Sequence, residues 1–326
     1  MSTLSWIIGR GGLLGSAVER AISTSLWHPD NLFPWEQPHH LREAIAEAIH
    51  HFRIRLEDSG AQSWNIYWCA GAGVVGTSAE QFAAETAILR FFLDEFGKSV
   101  STLPNTTGQI FLASSAGGVY AGSSGCPLTE NTAPQPISDY GRTKLVHEQI
   151  LSEWARTRPN ISTLVGRLSN LYGPGQHLEK PQGLISYMSR CMIFNVPVRI
   201  FVPLDTIRDY LFADDAARRI VFAMQRLHRE APQGGLHVTK IFGSGSETTI
   251  AGLIGIFRQI AKRHLRLISS QSPVRSQQPA GLQFRSIVWP DDASTQRTEL
   301  LDGMNRVHTH QLALFQAGRL PAPSLR

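Results

Sequence analysis

Cysteine is scarce in this chain. Cys69, Cys126 and Cys191 are the whole complement, none shows C-x-x-C spacing, and each lies in or near an apolar run. So few and so dispersed, they exclude a disulfide framework or a zinc cluster and suit reduced thiols in a cytosolic protein. Charge of one sign is not concentrated either. The net charge is +5 and the pI near 9.3, yet no run of five basic residues occurs. That excludes a nucleic-acid-binding stripe. Long apolar runs are missing: none approaches the roughly 18 residues of a membrane span. The N-terminus has no basic region ahead of an apolar stretch and no small-residue cleavage site. Internal repeats and low-complexity tracts are absent. These absences lead to the expectation of a soluble, cytoplasmic protein with no metal centre, bound to neither membrane nor nucleic acid.

What is present is ordinary for a globular protein. Hydrophobic residues make up 42% and charged residues 17% of 326 residues, enough for one large domain or two modest ones. Short apolar runs alternate with helical patterns. Strands are predicted at 5–9, 31–35, 64–70, 109–115 and 161–169, and helices at 13–26, 39–57, 79–96 and 139–157. Pro34 confines the second strand to an edge or an end. This βαβα rhythm predicts an α/β fold, a Rossmann-like doubly wound parallel sheet covered on both faces. Beyond about residue 172 the pattern is irregular. Strand-like 198–202, 236–241 and 282–288 mix with helical 213–228 and 248–264, which suits a smaller C-terminal α/β lobe that binds substrate. The division expected is 1–170, with 205–228 returning to it, against 171–204 and 229–326.

The stretch "IIGRGGLLG" has a strand before it and a helix after it. Gly9, Gly12 and Gly15 are spaced G-x-x-G-x-x-G. Such a turn lets backbone N–H groups and a helix N-terminus approach a pyrophosphate, although glycines alone also make plain βα turns. Tyr140 and Lys144 are four residues apart on a predicted helix and share one face. A free phenol has a pKa of about 10, and an ammonium one turn away lowers it. Such a phenolate can take the proton of an alcohol while hydride leaves the same carbon. A serine at the end of the neighbouring strand, Ser114 or Ser115, would hold that hydroxyl.

Six stretches together carry a resemblance: "GRGGLLG" (9–15), "WCAGAG" (68–73), "SSAGGVYAG" (114–122), "YGRTK" (140–144), "RLSNLYGPGQ" (167–176) and "RDYLFADDAA" (208–217). In this order and spacing the chain resembles the extended short-chain dehydrogenases/reductases, the NAD(P)-dependent nucleotide-sugar epimerases, dehydratases and reductases. "FGSGSETTI" (242–250) fits more loosely. The resemblance implies a catalytic set of Ser115, Tyr140 and Lys144, with Ser114 as runner-up. It implies NAD or NADP as cofactor, held by Gly9, Arg10, Gly12, Leu13, Leu14, Gly15, Ala70, Gly71, Tyr140 and Lys144. It implies a nucleotide-sugar substrate whose diphosphate meets Asn170, Arg208 and a second arginine, Arg275 or Arg285. An ion pair of Arg208 with Asp205 or Asp209 is the plainer alternative. A homodimer built on the helices at 79–96 and 139–157 is implied as well.

Three departures stand out. No acid sits at the end of the second strand, where relatives bind the adenosine ribose; Glu36 is the nearest, and Arg10 suits a 2′-phosphate instead. A third strand, usual before "WCAGAG", is missing. Glu85 stands where relatives often have asparagine. Epimerisation is the reading that leads. Reduction of a keto-sugar by NADPH is the alternative, and a cofactor sensor without turnover is the reading from another class. Dehydration is disfavoured, because Ala116, Gly117 and Gly118 follow the serine where dehydratases carry Asp-Glu.

Overall fold

The computed structural model describes residues 2–71, 73–103, 106–178, 183–262, 264–269, 281–290 and 297–323. The first part runs β1 (Thr3–Ile8), α1 (Leu13–Ala21), β2 (Ser25–Trp27), α2 (Pro38–Ser59), β3 (Ser63–Trp68), α3 (Ala79–Val100), β4 (Thr107–Ser115), the single turn α4 (Ala116–Val119), α5 (Asp139–Ala155) and β5 (Ile161–Leu168). The second part runs β6 (Asn170–Tyr172), α6 (Leu184–Ile193), β7 (Val198–Ile200), β8 (Ile207–Phe212), α7 (Ala213–Glu230), β9 (His237–Phe242), β10 (Glu247–Thr249), α8 (Ile250–Ala261), β11 (Leu267–Ser269) and α9 (Leu300–Gln316). The helix boundaries follow from local chemistry. Pro38 opens α2 and Gly60, at φ 61°, ends it. Ser78 and Gln81 close a reciprocal capping box on α3.

The central sheet has the order β2-β1-β3-β4-β5-β9, and every pairing in it is parallel. This is the Rossmann-like α/β sheet that the sequence predicts. Its strands are apolar on both sides because helices cover both sides. Trp6, Ile8, Ile66 and Ile110 face a core shared with α2, α3 and α5, while Ile7, Tyr67, Phe111 and Leu164 face α1 and α7. A second core joins Tyr172 to α6, β7, α8 and α9. The chain leaves β1 toward β2 on one side and then crosses to β3 on the other. The switch point therefore falls at the carboxyl ends of β1 and β3, where open α/β sheets bind their ligands.

Between β2 and β3 there is one helix, α2, and no further strand, as expected. The three-residue β2 is the sheet edge, and aromatic packing supports it. Trp6 lies 5.0 Å from Trp27, 5.3 Å from Phe52 and 5.6 Å from Phe92, centroid to centroid.

Three sequence expectations are corrected. The helix expected over 13–26 stops at Ala21, and its last residues form β2, paired with Leu4–Trp6. The strand expected at 31–35 is a loop. Phe33 serves packing rather than a ladder, meeting Trp35 at 5.7 Å and Trp6 at 6.5 Å, while Leu32 is exposed. Residues 282–288 make no strand, only isolated bridges near them at Leu128–Phe284 and Ile207–Gly281, because side chains from elsewhere take their backbone groups. The helix α9 was not foreseen. The strand β9, within the stretch assigned to the smaller lobe, pairs with β5 in the central sheet.

Candidate active site

The glycine turn is built by close backbone approach. Gly9 has φ 91°, and a Cβ on it would lie 2.6 Å from Ala70 N at the end of β3. Gly12 N–H donates to Gly9 O at 3.0 Å, and a Cβ on Gly15 would stand 2.2 Å from that same oxygen. Gly12 is the N-cap of α1. No side chain caps the helix there, and its first turn holds no acid. Its leading N–H groups and positive dipole end therefore suit an anion, as a pyrophosphate seat requires. Leu14 packs into the core below, and Gly173 approaches Leu13, where a Cβ would come within 3.6 Å of Leu13 Cδ1. Arg10 reaches back to Glu19 at 3.8 Å across a surface where such pairs contribute little. Since β2 ends at Trp27, Asp30 rather than Glu36 is the acid next along the chain, and both are exposed.

On the next strands the serine, tyrosine and lysine converge. Ser138 caps α5 by accepting Gly141 N–H at 3.2 Å. Gly118 and Gly141 let α4 and α5 touch: a Cβ on Gly141 would sit 2.2 Å from Gly118 O, and one on Gly118 would sit 2.9 Å from Tyr140 Cε1. The Tyr140 ring thus lies against the turn that begins at Ser115. Lys144 Nζ is 5.8 Å from the Tyr140 ring centroid. The same Nζ lies over Gly71, 3.3 Å from where a Cβ would stand. Ser115 Oγ accepts Gly118 N–H at 3.1 Å. Ser114, on the opposite face of the strand, instead donates to buried Glu148 at 2.5 Å.

Other titratable groups nearby are silenced by burial. Burial, then the Lys144 and Arg90 cations, lowers His147 to about 3, so it is neutral while hydrogen bonded to Thr86 at 3.0 Å. Burial also pushes the Cys69 thiol and the Tyr67 phenol well above their usual ranges. Among the described residues no group of three His, Cys, Asp or Glu could hold a metal ion, and no helix is long and apolar enough to cross a membrane.

The residues expected at a diphosphate lie on the adjoining small sheet. Ser115 is in register with Leu168, and Asn170 follows two residues later, donating to Asp209 O at 2.9 Å. Asn170 pairs in turn with Tyr210 on β8, two residues from Arg208. Arg208 is half-buried and donates to Ile207 O at 2.8 Å; burial lowers its pKa against the opposing influence of Tyr210. Among the described residues no carboxylate pairs with it. Asp209 is instead committed to Ser244 N at 2.8 Å and Gly245 N at 2.9 Å, which ties down the "FGSGS" loop. Arg275 lies outside the described residues. Arg285 is exposed, and its N–H donates to Leu128 O at 2.9 Å.

One contributor stands out in the sequence as a departure, and others were not foreseen. Glu85 Oε1 accepts Gly73 N–H at 2.6 Å beside the Lys144 ammonium. Glu130 accepts from Ile241 N, Ser286 Oγ and Ile287 N at 2.6–2.8 Å and so stitches residues 281–290 beside α4, where Leu282 lies near Gly117. Glu148 and Arg167 form a buried pair at 2.6 Å. Their signal in the sequence was a charge at a core-facing position of an apolar helix or strand.

A family model described as "NAD dependent epimerase/dehydratase family" matches residues 6–238. Among curated relatives, the chain is 35% identical over 99 residues to a dTDP-L-rhamnose 4-epimerase of Burkholderia thailandensis, covering 30% of this chain and 27% of that protein. It is 30% identical over 146 residues to a dTDP-4-dehydro-6-deoxyglucose reductase of Escherichia coli, covering 45% of this chain and 43% of that one. The matched stretches thus span less than half of each relative's length. Among solved structures, a UDP-glucose 4-epimerase of Thermotoga maritima, crystallised with UDP-glucose, superposes with a TM-score of 0.74 at 19% identity, over 97% of this chain and 100% of that one.

Proposed function

The chain belongs to the NAD dependent epimerase/dehydratase family, and from that premise we propose that it is an enzyme transferring hydride at a carbinol carbon of a nucleotide-diphosphate sugar. The observation that carries this reading is the convergence of Ser115, Tyr140 and Lys144 at the carboxyl edge of the sheet, beside the uncapped N-terminus of α1. The glycine turn, with Ala70 and Gly71, fits a dinucleotide, NAD or NADP. When bound, that cofactor supplies hydride acceptance and hydride return.

The chain's own residues handle the proton. Tyr140 takes it from the sugar hydroxyl and Lys144 stabilises the phenolate that makes this possible. The Ser115 hydroxyl, one lone pair already engaged by Gly118 N–H, donates its hydrogen to the same sugar oxygen. Asn170 and Arg208 hold the diphosphate, a guanidinium that no described carboxylate neutralises being suited to phosphate oxygens. In an epimerisation the ketone turns over between proton removal and proton return, both at Tyr140. Single turnover with sugar nucleotides tritiated at the sugar carbons tests this. Label is expected on the nicotinamide in turnovers quenched part-way and back on the inverted sugar carbon at completion; label that never reaches the nicotinamide at any time point, with no inverted product, would leave a binding protein, the sensor reading.

One-way reduction of a keto-sugar is a second reading. The likeness to the E. coli reductase and the absence of an acid directly after β2 favour it. NADPH preference without inversion would select it. We read the assembly as a homodimer through α3 and α5, where Val146 is exposed, and sedimentation at micromolar concentration tests that.

A further inference from the structure

Both ends of the α4 turn are tied to one buried ion pair. In front of it, Ser114 donates its hydroxyl to Glu148 Oε1 at 2.5 Å. Behind it, Tyr120, the C-cap of α4, accepts Arg167 Nη1 on its hydroxyl at 2.5 Å, and the guanidinium lies 5.1 Å from its ring centroid. Arg167 Nη2 meets Glu148 Oε2 at 2.6 Å, with Nε at 3.1 and 3.2 Å from the two carboxylate oxygens. Glu148 comes from α5 and Arg167 from β5, and their side chains are only 10% and 9% exposed. Burial raises the Tyr120 phenol, which keeps its proton beside the guanidinium.

Burying a carboxylate and a guanidinium costs solvation that apolar residues of the same volume would not incur. What the charged pair adds is direction. Between its two grips stands Ser115, whose Oγ accepts Gly118 N–H at 3.1 Å and keeps its own hydrogen for donation. A shift of the turn by a fraction of its length would move that hydroxyl off the substrate oxygen. We propose that Glu148 and Arg167 are positioning residues for Ser115: through Ser114 and Tyr120 they hold both ends of the α4 turn, so that the Ser115 hydroxyl stays aimed at the reacting sugar oxygen. The proposal rests on the hydride-transfer reading and its assignment of Ser115.

The test uses Ser114→Ala and Tyr120→Phe, each of which releases one grip and leaves the Glu148–Arg167 pair intact. The holoenzyme, loaded with its dinucleotide, is assayed by single turnover on UDP-glucose, dTDP-glucose and their 4-keto derivatives. Each variant is made in the wild-type and in the Ser115→Ala background. A misplacement of about 1 Å costs on the order of 100-fold in rate, so each release is expected to slow hydride transfer by about 10- to 100-fold, with KM and bound dinucleotide unchanged. In the Ser115→Ala background the same substitutions are expected to have no further effect, since nothing remains to be aimed. Equal losses in both backgrounds, or no loss in either, overturn the positioning role while hydride transfer stands. A Ser115→Ala enzyme as fast as wild type, or no turnover of any of these sugars, overturns the underlying reading and this proposal with it.

Discussion

Lys144 Nζ stands 5.8 Å from the centre of the Tyr140 ring, and the same nitrogen overhangs Gly71 on the neighbouring strand turn. One ammonium thereby lies near both the phenol proposed to handle the proton and the groove proposed to seat a dinucleotide. Tyr140→Phe keeps the ring and its packing against Gly118 but loses the acid. It is expected to lower the hydride-transfer rate by roughly 10²- to 10⁴-fold, the usual contribution of a positioned acid or base, with dinucleotide affinity retained. Rapid-mixing kinetics on the holoenzyme check this; a rate within threefold of wild type would remove Tyr140 from the chemistry.

Gly118→Ala adds a Cβ 2.9 Å from Tyr140 Cε1 and 3.3 Å from Gly141 Cα. At that distance the Tyr140 ring must shift, which displaces it relative to Ser115. The expected outcome is a fall in kcat of at least about 10-fold with an unchanged dinucleotide Kd, since the glycine turn at β1 is untouched. Titration calorimetry beside steady-state kinetics separates the two.

His147 governs part of the acid stability. Folding lowers its pKa to about 3, first through burial and then through the Lys144 and Arg90 cations. The unfolded chain therefore binds this proton more readily than the folded one. The sign is fixed: its stabilising share is complete above the unfolded value of about 6.5 and declines as pH falls toward 3, at no more than about 1.4 kcal/mol per pH unit. His147→Gln, able to keep a hydrogen bond to Thr86, should flatten the stability profile between pH 4 and 6 in urea titrations. Parallel profiles for the two proteins would count against this assignment.

Arg208→Ala removes a half-buried guanidinium that no described carboxylate neutralises. If it binds phosphate, the loss of a charge-assisted hydrogen bond of about 1.5–3 kcal/mol raises the KM for nucleotide sugar by about 10- to 100-fold, while dinucleotide affinity is unaffected. Equal weakening by the free sugar and the nucleotide sugar would argue for a purely structural role.

Much of this was legible along the chain, because the relevant contacts are local. A glycine turn between a strand and a helix, and a tyrosine and lysine one turn apart, show themselves within a few residues. What escaped was short or distant. The three-residue β2 is too brief for a period of two to stand out against the helix pattern around it, and the apolar 31–35 looked like a strand although it pairs with none and its Phe33 packs on Trp6. Glu85 stood out only as a departure from the family pattern, and what Glu130, Glu148 and Asp209 bind could not be read along the chain. Each finds its donors 12 or more residues away, from Gly73, Ile287, Arg167 and Ser244.

By itself the sequence determined the alternation of strands and helices, the parallel sheet that follows from it, and the chemical types gathered near the carboxyl ends of the strands. Those depend on periodicity and on backbone freedom, which are properties of neighbouring residues. Which of two adjacent serines faces the cleft was decided only by tertiary structure, because consecutive strand residues point to opposite sides and only the packed neighbours tell which side is interior. Glu148 draws Ser114 inward, and Ser115, on the other face of the strand, is left for the role proposed for it.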